Sequence, residues 1–177
     1  MTSLLRGLTA GLIVLGVLTS DLTAQGPRIT AALIDSSGRR VGEVTASEDA
    51  AGALLQVHAR GLPPGSHGMH LHSGPRCEPP AFSTAEGHLN PEQRKHGRQN
   101  PAGPHLGDLP NLPVGADSSG RSQVRVEGYF LHAGDKSIGA PGVALVIHAL
   151  PDDELTDPAG ASGPRIACAV ITVTTGS

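Results

Sequence analysis

The sequence predicts an all-β fold, and three features of the chain carry this prediction. Short runs of β-branched residues with partial alternation of apolar and polar positions recur through the chain, as in half-buried strands. Most of these runs end at clusters of Gly, Pro, Asp or Ser, which are turn signals. Beyond the N-terminal segment, no run of residues shows a convincing helical period. The chain is therefore expected to form strands joined by turns and loops.

The predicted strands can be followed in order along the chain. RITAALID and ALLQVHAR come first, and GMHLH follows them with two alternating histidines. QVRVEG, VALVIHA and RIACAVITVT come later, after a long irregular stretch. The sequences DSSGRR, GLPPGS and ADSSGR have the composition of turns between strands.

The length and charge of the chain limit the classes of protein to which it can belong. Its 177 residues fit one domain preceded by a targeting segment. Its 13 Lys and Arg residues against 16 Asp and Glu residues give a net charge of −3. This balance provides no electrostatic footprint for nucleic acid or an anionic membrane, so neither partner is expected.

The N-terminal segment has the plan of a secretory signal peptide. Arg6 precedes an apolar run from Leu8 to Leu18, and Ala24 offers a small residue for cleavage. The alternative, an uncleaved membrane anchor, would need a span of about 20 apolar residues. We therefore expect a signal peptide at residues 1–24, a mature domain at 25–177, and a periplasmic or secreted protein with no membrane attachment after cleavage.

Two stretches of the predicted domain lack a strand pattern. The first, Ser73 to Leu112, is rich in Pro, Gly, His and charged residues, and the second, Leu150 to Pro164, is rich in turn residues. Loops as long as the first are uncommon in compact domains unless they are functional or disordered. A bound metal ion would order such a loop.

The two cysteines, Cys77 and Cys168, are far apart in the sequence. In an oxidising compartment such a pair can form a structural disulfide. In the chain-entropy model, closing a loop of about 100 residues is worth roughly 4.7 kcal/mol. A catalytic or metal-binding thiol is the alternative interpretation.

Histidines are concentrated in one part of the chain. His70 and His72 alternate on a predicted strand, so their side chains face the same way. His105 and Asp108 are three residues apart, and Gly107 between them can adopt the turn that brings both to one ion. A solvated, purely decorative His-x-His pair is the alternative. Because neutral imidazole suits zinc, copper, iron and nickel, and affinity alone does not select among them, the residues alone predict only one or two transition-metal ions.

Six motifs taken together resemble the copper/zinc superoxide dismutase family across nearly all of residues 28–174. In chain order they are HGMHLH, CEPP, GHLNPEQRKHG, GPHLGDLPNL, VIHA and DPAGASGPRIACAVI. The resemblance implies a flattened eight-stranded Greek-key β-barrel or sandwich with a metal-binding loop and an electrostatic-type loop. The short spacing from His72 to Cys77 looks like the bacterial branch of the family.

The resemblance also implies a role for each matching residue. His88 would bridge the two metals, Arg165 would draw the anionic substrate to copper, Asp152 would orient a ligand of each metal, and Cys77 and Cys168 would form the family disulfide. The implied copper ligands are His70, His72, His88 and His148, and the implied zinc ligands are His88, His96, His105 and Asp108. We expect His88 and Arg165 to be the catalytic residues.

The implied activity is that of an exported superoxide dismutase, which converts two superoxide anions to oxygen and hydrogen peroxide by Cu(II)/Cu(I) cycling while zinc orders the loop. A non-catalytic copper/zinc storage or delivery domain is the alternative from another class. It has no need of the anion-guiding Arg165. A purely structural β domain does not explain why metal-competent residues crowd the least regular loop. The sequence allows a homodimer but does not specify the oligomeric state.

Some positions depart from the family pattern without removing a ligand. Met69 stands where an aromatic residue is usual, Ser73 where an acidic residue is common, and Ala169 where glycine is usual. Pro164 restricts the backbone before Arg165, so the pose of that arginine is the least secure of the transferred features.

The electrostatic-type loop corresponds to the segment from His148 to Arg165. This segment is acidic, and Arg165 is its only cation. Arg94, Lys95 and Arg98 near His96 either help to guide the anion or merely solvate their loop. We expect His67 to be structural, and His58 and His132 to have no special role.

Overall fold

The computed structural model describes residues 28–132 and 134–173. The predicted signal peptide and its cleavage point lie outside the described residues. None of the described helices is long and apolar enough to cross a membrane.

The prediction of an all-β protein is confirmed. The described residues form nine antiparallel strands and two single-turn 3-10 helices, at Ser83–Ala85 and Gly134–Lys136. The strands are β1 (Ile29–Asp35), β2 (Arg40–Asp49), β3 (Gly52–Arg60), β4 (Gly65–His67), β5 (Met69–His72), β6 (Leu112–Val114), β7 (Ser119–Glu127), β8 (Val143–His148) and β9 (Arg165–Ile171).

The strands form one sheet that closes almost completely into a barrel. Their order is β4-β6-β7-β3-β2-β1-β9-β8-β5, so the two ends of the sheet are β4 and β5. Only Gly68 separates these two strands in the sequence. The segment before Gly68 pairs with β6 and the segment after it pairs with β8. The structure therefore has nine strands where eight were predicted, because one segment divides at Gly68 to serve both edges.

Gly68 makes this division without losing its backbone hydrogen bonds. Its N–H donates to the carbonyl of Leu150 at 2.8 Å, and its carbonyl accepts from the N–H of His148 at 2.8 Å. A Cβ at this position would lie 2.7 Å from the Cβ of Ser162, which is closer than real Cβ atoms approach. Glycine at position 68 thus allows the loop after β8 to pack directly on the barrel closure.

The core lies inside the barrel, and β3 shows how alternation fills it. Leu55, Val57 and Ala59 are buried, whereas His58 and Arg60 between and after them are exposed. Strand β8 does not alternate, because all six of its residues are buried. Its outward-facing residues pack beneath the long loop in a second apolar cluster, whose buried members are Phe82, Ala85, Ala144, Val146 and Cys168.

The long loop between β5 and β6 is fixed to the barrel by covalent and apolar contacts. Cys77 in this loop and Cys168 in β9 are joined by a disulfide, with their Cα atoms 5.7 Å apart. Phe82, five residues further on, is fully buried. The loop between β8 and β9 packs against the other end of the long loop, where the Asp157 carboxylate accepts from the N–H of His96 at 2.8 Å. The two irregular stretches are therefore ordered by each other and by the barrel.

Candidate metal centre

The first donor group lies where β5, β8 and the long loop meet. His70 and His72 project from β5, and His148 is the last residue of β8, which pairs with β5. His88 joins them because it forms an isolated β-bridge with His72. One ring nitrogen from each of these four histidines lies within 4.8 Å of the corresponding atoms of the other three.

The converging nitrogen atoms have no hydrogen-bond partner within the described protein. They are Nδ1 of His70 and Nε2 of His72, His88 and His148, and all four are buried. Buried polar atoms in proteins are nearly always hydrogen-bonded, so four unpartnered nitrogens aimed at one point require a common partner. Imidazole nitrogen is a good ligand for copper and zinc, and these four residues therefore fit a transition-metal ion.

The opposite ring nitrogens are held by acceptors, which fixes each ring. Nδ1–H of His72 donates to the carbonyl of Glu86 at 2.9 Å, and Nδ1–H of His148 donates to the carbonyl of Gly163 at 2.9 Å. Because a carbonyl can only accept, each of these rings keeps its proton on Nδ1 and presents a lone pair at Nε2. Burial lowers the pKa of His72 to about 2 and that of His148 to about 4. The rings are neutral, as metal ligands must be.

The second donor group surrounds the carboxylate of Asp108. Its Oδ1 lies 2.9 Å from Nδ1 of His88, 3.0 Å from Nδ1 of His96 and 3.2 Å from Nδ1 of His105. Its Oδ2 accepts from the backbone N–H groups of Gly97 and His105, both at 2.9 Å. Burial alone would raise the pKa of Asp108, but these hydrogen bonds lower it to about 2. Three imidazoles and one ionised carboxylate suit tetrahedral zinc.

His70 also lies within 4.8 Å of the donors of His88, His96 and Asp108, so distance alone leaves the membership of the second group open. Chemistry resolves it. Nε2 of His70 already pairs with Asp152 at 2.7 Å, and its Nδ1 is one of the unpartnered atoms of the first group. Nδ1 of His105 lies 3.3 Å from Nδ1 of His88 and completes the second group instead.

His88 belongs to both donor groups. Its Nε2 is among the four unpartnered nitrogens of the first group, and its Nδ1 faces Asp108 in the second. Burial is the main reason that the pKa of His88 is lowered to about 4, although the hydrogen bond with Asp108 opposes this effect. A single neutral ring therefore separates the two candidate metal positions.

The carboxylate of Asp152 contacts one histidine of each donor group, on the ring nitrogen that points away from the candidate metal position. Its Oδ2 pairs with Nε2 of His70 at 2.7 Å and its Oδ1 pairs with Nε2 of His96 at 3.0 Å. Burial opposes ionisation of Asp152, but the hydrogen bonds from these two rings keep its pKa below the ordinary value. Carboxylates in this position fix the tautomer and orientation of metal-binding histidines.

Two further residues support Asp152, and sequence reasoning did not single them out. The side-chain amide of Asn111 donates to the carbonyl of Asp152 at 2.9 Å and accepts from its N–H at 2.8 Å. Gly160, with φ of +60°, leaves room for the carboxylate, because a Cβ there would lie 1.8 Å from Oδ1 of Asp152. Asn111 lies in the motif GPHLGDLPNL, and Gly160 lies in the motif DPAGASGPRIACAVI. Nothing else in the sequence pointed to either residue.

Arg165 faces the same cleft as the first donor group. A β-bulge between β8 and β9 skips Ile166, so Arg165 lies opposite His148 in the register. Bulges of this kind redirect side chains. The guanidinium donates to the carbonyls of Phe82 and Glu86, each at 2.5 Å. Pro164 therefore does not turn Arg165 away from the site.

The cleft has a volume of about 480 Å³, and His72, His88, His148 and Arg165 all line it. Arg94 and Lys95 also line this cleft, whereas Arg98 does not. Lys95 is neutralised by Asp157, with Nζ and Oδ2 3.0 Å apart. Arg98 pairs with Glu154 at 3.2 Å. Arg94 lies 3.9 Å from the carboxylate of Glu92, whereas Arg165 lies opposite His148 and is therefore the cation best placed at the first donor group.

The remaining histidines and the departures from the family pattern lie where they do not disturb the donors. His67 is buried, and its two ring nitrogens lie 2.8 Å from the carbonyls of His148 and Pro63. His58 and His132 are exposed and belong to neither group. Met69 is fully buried in the barrel core.

Comparisons with known proteins agree with this geometry. The family model described as "Copper/zinc superoxide dismutase (SODC)" matches residues 40–171. The chain is 41% identical over 172 residues to "Superoxide dismutase [Cu-Zn] 2" of Aquifex aeolicus, covering 94% of this chain and 98% of that protein. It is 36% identical over 146 residues to "Superoxide dismutase [Cu-Zn]" of Caulobacter vibrioides, covering 80% of this chain and 84% of that protein.

Solved structures give the same result. A superoxide dismutase-like protein from Bacillus subtilis aligns with a TM-score of 0.76 at 38% identity, over 80% of this chain and 97% of that chain. The Cu/Zn superoxide dismutase from Brucella abortus aligns with a TM-score of 0.66 at 28% identity, over 82% of this chain and 99% of that chain. The donor groups, the barrel and the sequence relatives lead to one conclusion: the chain belongs to the copper/zinc superoxide dismutase family.

Proposed function

We infer that the chain is a superoxide dismutase, which converts two superoxide anions and two protons to oxygen and hydrogen peroxide. The observation that carries this inference is the convergence of four buried, unpartnered imidazole nitrogens in a cleft that also contains Arg165. The relatives named Cu-Zn superoxide dismutase support the same activity.

We assign the two donor groups to two metals. The first group would hold copper, through Nδ1 of His70 and Nε2 of His72, His88 and His148. The second would hold zinc, through Nδ1 of His88, His96 and His105 and the carboxylate of Asp108. When bound, copper supplies the redox chemistry by taking an electron from one superoxide and giving an electron to another, and zinc supplies charge and order to the loop.

The role of Arg165 in this function is to bind the anion. Its two hydrogen bonds to backbone carbonyls hold the guanidinium in the cleft before substrate arrives. A preorganised cation loses little side-chain entropy when an anion binds, which strengthens the interaction. Because the cleft is half enclosed by the long loop, the charge of Arg165 also acts in a medium less polar than bulk water.

The role of His88 follows from its position between the donor groups. Its Nδ1 lies 2.9 Å from Oδ1 of Asp108, and its Nε2 belongs to the first donor group. We assign a second role to Nε2 of His88, which would hold copper: when this nitrogen is not bound to the metal, it would take a proton from the solvent and pass it to the reduced product. Proton transfer by a positioned histidine is the commonest form of general acid catalysis.

A storage or delivery protein is not favoured. Such a protein would need the donor groups, but it would gain nothing from an arginine anchored beside them. The four residues assigned to copper lie together in the structure, and Arg165 lines the cleft with three of them, which supports the enzyme.

We further propose that the protein is exported and that residues 1–24 are removed on export. The disulfide between Cys77 and Cys168 supports this proposal, because such bonds persist in oxidising compartments such as the periplasm and the exterior. N-terminal sequencing of the protein isolated from its native compartment tests the cleavage point.

The activity is tested with mature protein loaded with copper and zinc, with zinc alone, or with neither. Rapid mixing with superoxide should show fast dismutation only in the sample that contains copper. Equal activity in the zinc-only sample would contradict the assigned function, and metal bound in stoichiometric amount without dismutation would support a carrier.

A further inference from the structure

Two loops meet beside the second donor group. We call the contact between residues 95–100 of the long loop and residues 152–157 of the loop after β8 the loop junction. The N–H of Gln99 donates to the carbonyl of Glu154 at 3.1 Å. A Cβ on Gly97 would overlap the same carbonyl oxygen, so the two backbones are in direct contact. The loop junction therefore places the two loops at a fixed distance.

Asp157 makes a different kind of contact in the loop junction. Its Oδ1 accepts from the backbone N–H of His96 at 2.8 Å, and its Oδ2 pairs with Nζ of Lys95 at 3.0 Å. Two consecutive residues of the long loop thus bind the two oxygens of one carboxylate. Because both oxygens are engaged, the carboxylate keeps one orientation, with Oδ1 directed at the peptide of His96.

The N–H of His96 depends on this carboxylate. His96 is fully buried, and within residues 28–132 and 134–173 Asp157 provides the only acceptor for its N–H. A buried N–H without an acceptor is costly, so the backbone would have to move to find another one. A hydrogen bond to an ionised carboxylate is also stronger than one between neutral groups. Loss of the carboxylate would therefore displace the backbone of His96.

The ring of His96 is held by the same loop as its peptide. Its Nε2 pairs with Oδ1 of Asp152 at 3.0 Å, and its Nδ1 lies 3.0 Å from Oδ1 of Asp108 in the second donor group. His96 is consequently attached to the loop after β8 at two points, its ring by Asp152 and its peptide by Asp157. Two attachments fix the direction of Nδ1, whereas one would leave the ring free to pivot.

The neighbouring carboxylates of this loop have other tasks. Asp153 accepts from the N–H groups of Leu155 at 2.9 Å and Thr156 at 2.8 Å, so it closes a turn within its own loop. Glu154 pairs with Arg98 at 3.2 Å. In the part of the chain that the structure describes, neither carboxylate hydrogen-bonds to a residue of the second donor group. Neither can replace Asp157.

We propose that Asp157 is a positioning residue for the metal of the second donor group. It acts through the peptide of His96, which it holds so that Nδ1 of that ring stays aimed at the metal position. This proposal rests on the assignment of zinc to the second donor group. Pro158 and Ala159, which follow Asp157, line the substrate cleft, so the same contact ties the cleft wall to a zinc ligand.

The test measures zinc release from the mature protein loaded with copper and zinc. D157A removes both contacts, D157N keeps an oxygen for the N–H of His96 but removes the charge, and K95M removes only the ion pair. D153A is the matched control, because it removes a carboxylate of the same loop that does not reach His96. An excess of a chromogenic chelator reports zinc release. Hydrogen exchange of the metal-free protein, followed by NMR, reports protection of the His96 N–H.

We expect zinc to leave D157A at least about tenfold faster than the native protein, in the range seen for residues behind metal ligands. D157N, K95M and D153A should release zinc at close to the native rate, and the His96 N–H should exchange faster in D157A alone. Copper content, measured on the same samples, should be unchanged. Among the described residues, Asp157 makes no hydrogen bond to the four histidines assigned to copper.

Zinc release from D157A at the native rate would overturn the proposal and leave the superoxide dismutase assignment intact. Equal acceleration in D153A, or failure of D157N to restore zinc retention, would show that the bond to the His96 peptide is not what matters. Loss of copper together with zinc from D157A would show a general effect on the fold and would also overturn the proposal. A native protein that binds no zinc would contradict the zinc assignment itself.

Discussion

Arg165 and His72 are positioned by the same carbonyl oxygen, that of Glu86. The guanidinium of Arg165 donates to it at 2.5 Å, and Nδ1–H of His72 donates to it at 2.9 Å. Glu86 has φ of +63°, in the region that non-glycine residues rarely adopt. The cation assigned to anion binding and one of the assigned copper ligands are thus oriented by one peptide group, in a segment that follows the disulfide-linked Cys77.

The first prediction concerns this shared anchor. Replacing both Cys77 and Cys168 with Ser should lower the free energy of unfolding by about 2–5 kcal/mol, as is usual for native disulfides. It should also lower kcat/KM, because Phe82 and Glu86 would no longer hold Arg165 firmly. Urea unfolding and the dismutation rate measure the two effects. Stability lost without any change in rate would show that the loop keeps Arg165 in place without the disulfide.

The second prediction concerns anion guidance. Arg165→Ala should lower kcat/KM at least about tenfold with both metals retained, and should flatten its dependence on ionic strength. Arg98→Ala is the matched control, because Arg98 pairs with Glu154 and does not line the cleft. If the two variants behave alike, the substrate is guided by the overall field of the protein and not by Arg165.

The third prediction is a pH dependence of the metal-free protein. Burial lowers the pKa of His88 and His148 to about 4 and that of His72 to about 2, from 6.5. Below pH 6.5 the unfolded chain therefore binds protons that the folded chain does not, and the free energy of unfolding falls as the pH falls.

The stability that these rings contribute is fully present above pH 6.5. It declines down to about pH 4 for His88 and His148, and further for His72. Each such group contributes a slope of about 1.4 kcal/mol per pH unit within its window. Urea unfolding between about pH 7.5 and 4.5 measures the slope. A flat profile would mean that the rings take up protons without unfolding.

The fourth prediction concerns the support of Asp152. Asn111→Ala removes both hydrogen bonds to the Asp152 backbone and should weaken zinc retention by about 10–100-fold, the range seen for residues behind metal ligands. Competition with a chelator measures zinc affinity directly. Gln123→Ala, an exposed amide on β7, is the control. Equal zinc affinity in the two variants would show that Asp152 needs no support from Asn111.

Local patterns were sufficient for the all-β class, whereas the barrel and most of the candidate site residues were implied only by the resemblance to the family. The alternation of His70 and His72 correctly indicated a shared direction, because both lie on β5 with their rings in the first donor group. The family motifs indicated the other donor residues, and the structure brings them together.

Features that depend on contacts between distant segments could not be predicted. The division of one strand at Gly68 arises because two different strands pair with its halves. The orientation of Arg165 depends on a bulge at Ile166 and on carbonyls in another loop.

The most direct test of the account is the metal content and activity of His148→Ala. His148 belongs only to the first donor group, so its loss should abolish copper binding and dismutation while zinc remains bound. Elemental analysis and a superoxide assay on the same sample measure both, with exposed His58→Ala as the control that keeps both metals. The account predicts one zinc, no copper and no dismutation in His148→Ala, and near-normal activity with copper bound would contradict it.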